Sequence, residues 1–600
     1  MPAERRYRSA KQRRDPAPAV ADPAAGECKR FGRHYTPPAL ARFLAHRVVS
    51  QAAPSQAGVL RVLDPACGNG ELLLAAHTEA TARFPGMRLV LTGYDLDAQA
   101  IVAARERAEA AGVAARWYAA DFLAAGTRLT QGSFDAVITN PPYVRTQQLG
   151  GSTAHLLRRR FGLHGRIDLT HPFVATLPRL LAGGGVLGLL CANRFLTTKA
   201  GANIRDLLLS DLSPIELYDL GDTKLFAAAV LPAIIIARRA DYRGGCRYIS
   251  IYETAGRPTC ALSLFDALVT QHPATVGHKG RVFAIEAGTL LTGAESRARG
   301  SAPPTARGRR STRDRGTARS GGGASLPQWG WRMSHAAVDS WLARVEARTW
   351  RTFGEVARVR VGIKTTADRI FISDRWADAD PCPEPELLRA LLTHRELAPW
   401  RATCRPDLRV LYPYDPAHAR PTPIDFADFP AAAAYLSANK EALAGRRYLI
   451  DSGRAWFEIW VPQRPRLWRE PKVVFPDISD RPRFALDRSG AVVNGDCYWI
   501  SLPELSRVPV DALRLAYLLM GVANSSFGVR FYDVSCGNRL YSHRRRWTTE
   551  YVSRMPLPDP TLPRSAAVID LVRELIEHHP PDRAALGELD RLVESAFGVP

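Results

Sequence analysis

Short apolar runs alternate with longer amphipathic stretches between residues 31 and 239 of the chain. The run at 59–63 is followed by a turn at 64–70, and then by apolar positions at helical spacing from residue 71 to about residue 83. Such alternation of strands with helices is typical of an α/β domain built on a mostly parallel sheet. Further strands are predicted at 89–94, 136–139, 186–191 and 231–237.

The pattern divides the chain into four parts. Residues 1–30 are basic and lack an apolar core, which predicts a disordered tail rather than a signal peptide. Residues 31–245 form the α/β domain, and residues 246–327 connect it to a second domain at 328–600, which ends in helices. Within the connection, 296–325 has eight arginines, one acid and little that could pack, so it is a flexible spacer or a basic strap for phosphates.

Composition narrows the class of protein. Six hundred residues, 46% of them hydrophobic, can bury more than one core. The longest apolar runs, 185–192 and 230–237, are shorter than the roughly 20 residues of a membrane span, so no membrane association is expected. Nine cysteines without a C-x-x-C pair argue against disulfides and structural zinc, and fit a reducing cytoplasm.

The chain is strongly basic. A formal net charge of +22 favours a polyanionic partner, and nucleic acid is the natural candidate because clustered cations neutralise phosphates. Aromatic and basic residues also interleave after residue 328. Arginine enrichment is, however, also what a compositionally biased genome produces, so charge alone leaves both explanations open.

The turn at 64–70 has the features of a nucleotide-cofactor site. It reads Asp64-Pro65-Ala66-Cys67-Gly68-Asn69-Gly70, at the end of a predicted strand and the start of a helix. Gly68 and Gly70, with Ala66, allow the backbone to approach a ligand closely at the carboxyl edge of a parallel sheet. This is not the G-x-G-x-x-G dinucleotide motif, and Asp64 would repel a phosphate. A cationic sulfonium ligand suits this carboxylate better.

Two further acids follow the next predicted strands. Asp95 can accept hydrogen bonds from ribose hydroxyls, and the adjacent Leu96 can pack on an adenine ring. Asp121 can accept from an adenine amino group whose ring Phe122 covers. Each acid alone is more often a turn or cap residue. Together, in order at three strand ends, they predict S-adenosylmethionine as the cofactor, with no metal.

The strand predicted at 136–139 runs into Asn140-Pro141-Pro142-Tyr143. An exocyclic amino nitrogen is a poor nucleophile because its lone pair is delocalised into the ring. The Asn140 side-chain oxygen and the Pro141 carbonyl can accept its two N–H groups and draw the pair back, while Pro142 stiffens the turn. Tyr143 can stack on the target ring, which in duplex DNA must first leave the helix. Direct in-line transfer then requires neither a metal nor a covalent intermediate.

The cofactor motifs at 64–70, 95–96 and 121–122 precede the catalytic motif at 140–143. In this order they resemble the motifs of the TaqI-type (gamma-class) adenine DNA methyltransferases of restriction–modification systems, and the resemblance extends over about residues 31 to 555. The resemblance implies a Rossmann-like S-adenosylmethionine-dependent methyltransferase domain with a mostly parallel seven-stranded sheet, followed by a mixed α+β target-recognition domain. It implies methylation of the N6 amino group of a flipped-out adenine in double-stranded DNA. A cognate restriction endonuclease or defence-system subunits are the protein partners that it suggests.

The resemblance also assigns individual residues. The segment at 31–38 looks like the family's N-terminal cofactor motif, with Tyr35 and Thr36 near the methionine moiety. The segment at 219–226 resembles the one whose phenylalanine packs on the flipped adenine, which makes Phe226 the candidate. Without the resemblance, core packing is the simpler interpretation of Phe226.

Parts of the C-terminal half are similar to the family's recognition region. The similar segments lie at 361–365, 472–478 and 483–485. A glycine-led turn at Gly362 and basic, aromatic surroundings suit DNA contact. The same segments are also apolar enough to be core strands. The segment at 518–526 resembles the family's closing helix. The nearby run Arg544-Arg545-Arg546-Trp547 is either a phosphate contact or a solvated basic turn.

Three other functions fit parts of the sequence. Release-factor glutamine methyltransferases share the Asn-Pro-Pro-Tyr motif because a side-chain amide presents a similar nitrogen, but they are much shorter and lack a basic C-terminal half. A methylase that binds DNA without modifying it would keep the fold, although the intact motif at 140–143 argues against this. A fused restriction nuclease would need a separate cluster of acids and lysine, which the sequence does not offer before residue 31 or at 477–480.

Overall fold

A computed structural model describes the chain in several stretches. These are residues 35–53, 58–143, 151–198, 200–226, 231–240, 245–254, 256–291, 331–334, 336–415, 418, 420–505, 507, 509–536, 544–578 and 582–599. The tail predicted at 1–30, the flexible segment predicted at 296–325 and positions 31–34 of the N-terminal cofactor motif lie outside the described residues. These three expectations stay predictions.

The N-terminal half is built on one sheet of eleven strands. The strands are β1 (Val59–Asp64), β2 (Arg88–Asp95), β3 (Ala115–Ala119), β4 (Phe134–Thr139), β5 (Leu181–Ala192), β6 (Ser213–Asp219), β7 (Pro232–Arg238), β8 (Arg247–Glu253), β9 (Ala274–His278), β10 (Arg281–Leu291) and β11 (Arg332–Ser334). The helices are α1 (Pro38–Gln51), α2 (Glu71–Arg83), α3 (Ala98–Ala110), α4 (Phe122–Ala125), α5 (Gly151–Phe161), α6 (Thr170–Leu180), α7 (Ala202–Ser210) and α8 (Leu264–Thr270), with 3-10 turns at Gly126–Arg128 and Asn193–Leu196. The strands and the helix predicted from the pattern are all present.

Successive residues of the central strands are buried on opposite faces of the sheet. Val62 and Ile138 pack with α1, α2 and α8 in one core, whereas Leu63 and Val137 pack with α6 and α7 in another. β4 is buried along its whole length because helices cover both faces of the sheet. Such strands appear in the sequence as continuous apolar runs. The predicted α/β class is confirmed.

The strand order places both predicted motifs at one point of the sheet. It runs β3-β2-β1-β4-β5-β7-β6, with β7 antiparallel to its neighbours, and continues through β8 and β10 to β11, with β9 on β10. The chain switches direction across the sheet between β1 and β4, and open α/β sheets bind ligands at such a switch, outside the carboxyl ends of the strands. Asp64 ends β1 and Asn140 follows β4.

The sheet is wider than the seven strands that the resemblance implies. Residues expected to belong to the connection at 246–327 form β8, β9 and β10 instead, and β10 pairs with β11. β8 pairs in parallel with β6, so it covers an edge that would otherwise expose unpaired backbone groups. This differs from the expected domain boundary after residue 245, because isolated apolar strands in a long connection gave no sign of which sheet they would join.

The C-terminal half contains four smaller sheets packed on helices. Its strands are β12 (Arg351–Thr352), β13 (Arg360–Val361), β14 (Ile372–Ser373), β15 (Leu388–Leu392), β16 (Trp400–Arg401), β17 (Arg409–Leu411), β18 (Lys472–Pro476), β19 (Ile478–Ser479), β20 (Ala485–Asp487), β21 (Val492–Val493), β22 (Cys497–Ser501), β23 (Arg545–Arg546) and β24 (Pro556–Leu557). Its helices are α9 (Ala336–Arg348), α10 (Phe353–Val356), α11 (Asp368–Phe371), α12 (Pro430–Ala438), α13 (Lys440–Ala444), α14 (Arg447–Ile450), α15 (Leu502–Leu505), α16 (Ala512–Asn524), α17 (Ser526–Cys536), α18 (Thr549–Val552), α19 (Pro563–Glu577) and α20 (Arg583–Phe597), with 3-10 turns at Trp376–Asp378, Pro385–Leu387 and Pro465–Trp468. One core gathers around α16, α17, α19 and α20, and a second around β15, β17 and β21.

Segments expected in the recognition half have packing explanations. A Cβ on Gly362 would lie 2.0 Å from the carbonyl oxygen of Asn494, so glycine there allows two backbones to touch. β18 is buried along its length, and Phe475 stacks on Phe484 at a ring distance of 4.2 Å. α16, at the position of the expected closing helix, is the most buried helix of its core. Core packing is sufficient to explain these residue types.

The basic run at 544–547 is partly neutralised within the chain. Arg545 Nε lies 2.7 Å from Asp533 Oδ1, and Arg546 Nη2 lies 3.1 Å from Asp477 Oδ2. Trp547 is buried in the core. These pairings argue against a phosphate contact for Arg545 and Arg546, and only Arg546, at 50% exposed, fits the solvated turn.

No single helix in the part of the chain that the structure describes is long and apolar enough to cross a membrane. The bent pair α16 and α17 passes on length and composition, but its apolar residues belong to the C-terminal core.

Candidate active site

Two adjacent strand ends bring the predicted cofactor and catalytic motifs together. β1 and β4 are parallel neighbours, with Leu63 opposite Val137. Asp64 is the last residue of β1, and Asn140 is the first residue after β4. The two side chains therefore leave the sheet from neighbouring strands at the same edge.

The loop after β1 is closely packed and has no space for larger residues. Gly68 and Gly70 have φ angles of +52° and +83°, a region that favours glycine. A Cβ on Gly68 would lie 3.2 Å from the Tyr35 ring, and a Cβ on Gly70 would lie 2.9 Å from Trp117. Tyr35, which is 52% exposed, covers the loop, and its predicted place near the methionine moiety stays a prediction.

Asp64 is fully buried beneath this loop. Its Oδ1 accepts a hydrogen bond from the backbone amide of Ala66 at 3.1 Å. Among the described residues its Oδ2 makes no hydrogen bond of normal geometry, and the nearby Thr139 hydroxyl, which also makes none, only partly offsets the effect of burial on the Asp64 pKa. Burial raises the pKa of Asp64 to about 8, and the nearby Asp95 carboxylate adds to this. A buried carboxyl oxygen without a partner is costly unless a ligand supplies a donor or a positive charge.

Asp95 at the end of β2 holds the glycine loop in place. Its Oδ2 accepts from the Gly68 amide at 2.8 Å, and its Oδ1 accepts from the Asp97 amide at 2.9 Å. Leu96, between the two acids, is 78% exposed. An exposed leucine beside a glycine loop offers an apolar surface, and the predicted packing of Leu96 on an adenine ring stays a prediction.

Asp121 and Phe122 are placed differently from each other. Asp121 is exposed, and its carboxylate caps α4 by accepting from a backbone amide of that helix at 2.9 Å. Phe122 is only 2% exposed and stacks on Phe173 in the core. The ring of Tyr118, which stacks on Tyr94 next to Phe122, is the exposed aromatic surface here.

Both ends of the Asn140 amide are engaged. Its Nδ2 donates to the hydroxyl oxygen of Thr36 at 3.1 Å. Its Oδ1 accepts a short hydrogen bond from the hydroxyl of Tyr143. Thr36 is buried, and the hydroxyls of Thr36 and Tyr143 together hold the amide in place. The side-chain oxygen that the sequence assigns to catalysis is thus covered by the hydroxyl of Tyr143.

The remaining residues of the 140–143 turn are supported by burial and by a hydrogen bond from α6. Pro141 is buried and Pro142 is half-buried, and the carbonyl oxygen of Pro142 accepts from the hydroxyl of Thr170 at 3.3 Å. Burial raises the pKa of Tyr143 well above its usual value, so its hydroxyl keeps its proton and acts as a donor.

Phe226 lies within the core of the N-terminal half. It is 7% exposed and packs in the same core as Phe43 and Tyr218. Positions 227–230 that follow it lie outside the described residues. The surroundings fit the interpretation of Phe226 as core, and its role beside a flipped base stays a prediction.

Some residues at the site were not singled out from the sequence. Trp117 closes the glycine loop and Thr170 supports the catalytic turn, but neither belongs to a motif of recognisable spacing. Only the tertiary structure brings them there. Within the described stretches, no group of three or more His, Cys, Asp or Glu side chains is arranged to hold a metal ion.

Comparison with known proteins identifies relatives over nearly the full chain. Residues 95–226 match the model of the Eco57I restriction-modification methylase family. The chain is 31% identical over 605 residues to the type II methyltransferase M.BanIII of Aneurinibacillus aneurinilyticus, covering 95% of this chain and 97% of that protein. It is 25% identical over 460 residues to the type II methyltransferase M.XhoI of Xanthomonas vasicola, covering 76% and 73% of the two chains.

The fold is also similar to that of a solved protein. The type IIL restriction-modification enzyme MmeI, solved in complex with DNA, superposes with a TM-score of 0.57 at 13% identity, covering 93% of this chain and 72% of that one. At this identity the likeness concerns the fold alone. The near full-length match to M.BanIII carries the family assignment: the chain belongs to the type II methyltransferases of restriction–modification systems.

Proposed function

We propose that this protein transfers a methyl group from S-adenosylmethionine to the N6 amino group of an adenine that is swung out of duplex DNA. The observation that carries the proposal is the position of the Asn140 amide, which is held by Thr36 directly after β4. The neighbouring strand β1 ends in the buried Asp64, whose carboxyl has only one of its two oxygens in a hydrogen bond of normal geometry among the described residues. The motif at 140–143 alone indicates methylation of an amino or amide nitrogen. Membership of the type II methyltransferases supports DNA as the substrate.

The residues around the glycine loop fit S-adenosylmethionine. The Asp64 Oδ2 suits a cationic group, Gly68 is half-buried in a backbone conformation that favours glycine, and Leu96 offers a surface for the adenine ring. Asp95 keeps the loop in the conformation that the ligand would meet, and Tyr35 would cover it. When bound, the cofactor supplies a methyl group activated by a sulfonium.

Asn140 and Pro141 perform the chemistry that the protein contributes. The Asn140 Oδ1 and the Pro141 carbonyl oxygen accept the two N–H groups of the target amine, which concentrates its lone pair on nitrogen. Tyr143 must give up its hydrogen bond to Oδ1 when the base arrives, and its ring is then free to stack on that base. The turn is rigid, so little reorganisation accompanies the transfer.

Labelled cofactor offered to two substrates tests this function. Tritiated S-adenosylmethionine is supplied with duplex DNA and, separately, with release factor. We expect label in DNA rather than in the release factor, because the basic chain favours a polyanionic substrate. After digestion, the label should be found in N6-methyladenine. Label found only in the protein would overturn the proposal in favour of glutamine methylation.

Tyr143→Ala is expected to weaken base flipping. Base–aromatic stacking contributes about 1–3 kcal/mol, so the fluorescence of 2-aminopurine at the target position should fall markedly in this variant. Tyr143→Phe is the matched control: it keeps the ring and removes the hydroxyl that covers Asn140 Oδ1. Equal fluorescence for the alanine and phenylalanine variants would contradict a stacking role for Tyr143.

Thr36→Val is expected to lower kcat about fivefold, the effect of one neutral hydrogen bond of about 1 kcal/mol. Valine has nearly the same shape but cannot accept from Asn140 Nδ2, so the amide loses its fixed orientation. Thr36→Ser keeps the hydroxyl and should retain most activity. The affinity for S-adenosylmethionine, measured by calorimetry, decides between the roles: weaker binding with unchanged kcat would assign Thr36 to the methionine moiety instead.

A further inference from the structure

A buried histidine lies next to the turn formed by residues 140–143. His171 is 3% exposed. Its Nδ1 lies 2.8 Å from Asp168 Oδ1, and its Nε2 lies 2.9 Å from the carbonyl oxygen of Ala200. Both oxygens are acceptors, so both are satisfied together only when each ring nitrogen carries a proton. The geometry therefore favours an imidazolium paired with a carboxylate.

A neutral ring fits this environment less well. Its Nδ1 could accept from the backbone amide of Asp168, 3.1 Å away. It would then face Asp168 Oδ1 without a proton between the two lone pairs. Although burial lowers the pKa of His171, its hydrogen bond and charge attraction to Asp168 outweigh burial and raise the pKa above its usual value.

On one side, this ion pair supports the catalytic turn. Asp168 Oδ1 also accepts from the backbone amide of Thr170 at 3.1 Å. The buried Thr170 hydroxyl donates in turn to the carbonyl oxygen of Pro142 at 3.3 Å. A change in the charge of His171 therefore reaches the turn through two hydrogen bonds.

On the other side, the pair holds a loop that touches the C-terminal half. Ala200 accepts from His171 in the loop between β5 and α7. In the same loop, the Thr197 hydroxyl lies 3.2 Å from the hydroxyl of Tyr551, which belongs to α18. His171 thus stands between the catalytic turn and a contact with the C-terminal half.

We propose that His171 is a positioning residue. Its charged ring, held between Asp168 and Ala200, fixes the position of the 140–143 turn relative to the loop that contacts α18. The inference rests on the proposed function, since the turn matters only if Asn140 and Pro141 receive the target amine. It assigns a role to two residues, His171 and Asp168, that belong to none of the cofactor or catalytic motifs.

This arrangement predicts the direction of a pH effect. The charged ring is fully present below the usual pKa of histidine and is lost as pH rises through its raised value, so kcat should fall on an alkaline limb. Among the described residues, three other ionisable groups interact with Asp168. Arg194 attracts its carboxylate, whereas burial keeps Tyr143 and Cys191 protonated in this range, so neither produces the limb.

The test compares the pH dependence of kcat in the full chain and its variants. His171→Gln should lower kcat about tenfold, leave the dissociation constant for S-adenosylmethionine within twofold, and abolish the alkaline limb. Asp168→Asn should shift the limb to lower pH, because the charge that raises the pKa of His171 is gone. His46→Gln is the matched control: His46 also pairs with an acid, Glu79 at 3.1 Å, but on the surface between α1 and α2.

A second readout needs no methyl transfer. Titration of the ¹³C-labelled histidines by NMR, with the His171 signal assigned from its absence in His171→Gln, should show a raised pKa that Asp168→Asn lowers. An alkaline limb that stays in place in Asp168→Asn, or an unchanged kcat in a folded His171→Gln, would overturn the positioning role alone. A wild-type chain that methylates no DNA would overturn the proposed function, and this role with it.

Discussion

Asn140→Ala is expected to reduce methyl transfer by roughly 10²–10³-fold, the range found when one preorganised hydrogen-bonding group is removed from a catalytic site. Alanine removes the Oδ1 acceptor from the target amine, and only the Pro141 carbonyl oxygen is left. It also breaks the hydrogen bonds to Thr36 and Tyr143 that orient the amide. Single-turnover incorporation of label into duplex DNA, at saturating cofactor, measures the effect on the transfer step.

Cofactor binding should survive this change. Asp64 and Asp95 lie on β1 and β2 and hold the glycine loop independently of Asn140, so the dissociation constant for S-adenosylmethionine should stay within twofold. Asn140→Asp is an instructive companion, because it keeps an acceptor at Oδ1 but loses the donor to Thr36. Wild-type turnover in Asn140→Ala would refute the role of this residue.

Asp64→Asn is expected to weaken binding of S-adenosylmethionine by about tenfold to a hundredfold. Asparagine keeps the size of the side chain and the acceptor for the Ala66 amide, but it replaces Oδ2 with an amide nitrogen that cannot become negatively charged when the cofactor binds. A hydrogen bond to a charged group contributes about 1.5–3 kcal/mol. Calorimetry with the cofactor alone measures the change, and kcat at saturating cofactor should change little.

The raised pKa of Asp64 adds a pH dependence with a definite sign. With a pKa of about 8, the carboxyl is protonated in the free protein at neutral pH, and a cation binds better once that proton has left. The affinity should therefore rise with pH and level off above about 8, with release of a proton on binding. Asp64→Asn should abolish this rise.

Asp135→Asn provides the matched control for Asp64. Asp135 is also a buried carboxylate of the central sheet, but it lies at the start of β4 and pairs with Arg61 at 2.8 Å. Its replacement should lower the melting temperature without weakening cofactor binding. Equal loss of affinity in the two variants would show that the Asp64 effect is a general loss of stability.

The parts of the fold that follow from local pattern were predictable. Strands β1, β2, β4, β5 and β7 are buried on both faces and therefore appear as apolar runs, and the glycines of the loop after β1 mark positions where a side chain would collide. Asp64, Asp95 and Asn140 are placed by the ends of their strands, so their positions follow once the strands are known. The α/β class and the restriction–modification family follow from these local features.

Pairing between distant segments was not predictable. β8, β9 and β10 extend the sheet from a stretch expected to be a connection, because an apolar strand does not reveal its partner. Phe122 occurs in the expected motif but stacks on Phe173, which is remote in sequence. Whether a ring faces a ligand or a core depends on what the rest of the chain packs against it.

The sequence by itself determined which residues could bind a sulfonium cofactor and activate an amino group, because residue type and strand-end position carry that information. Only the tertiary structure decided that Thr36 contacts the Asn140 amide and that the buried His171 contacts the carbonyl oxygen of Ala200 behind the turn. Hydrogen bonds extend only about 3 Å, whereas Thr36 is 104 residues from Asn140 and Ala200 is 29 residues from His171. These contacts exist only after the N-terminal half has folded.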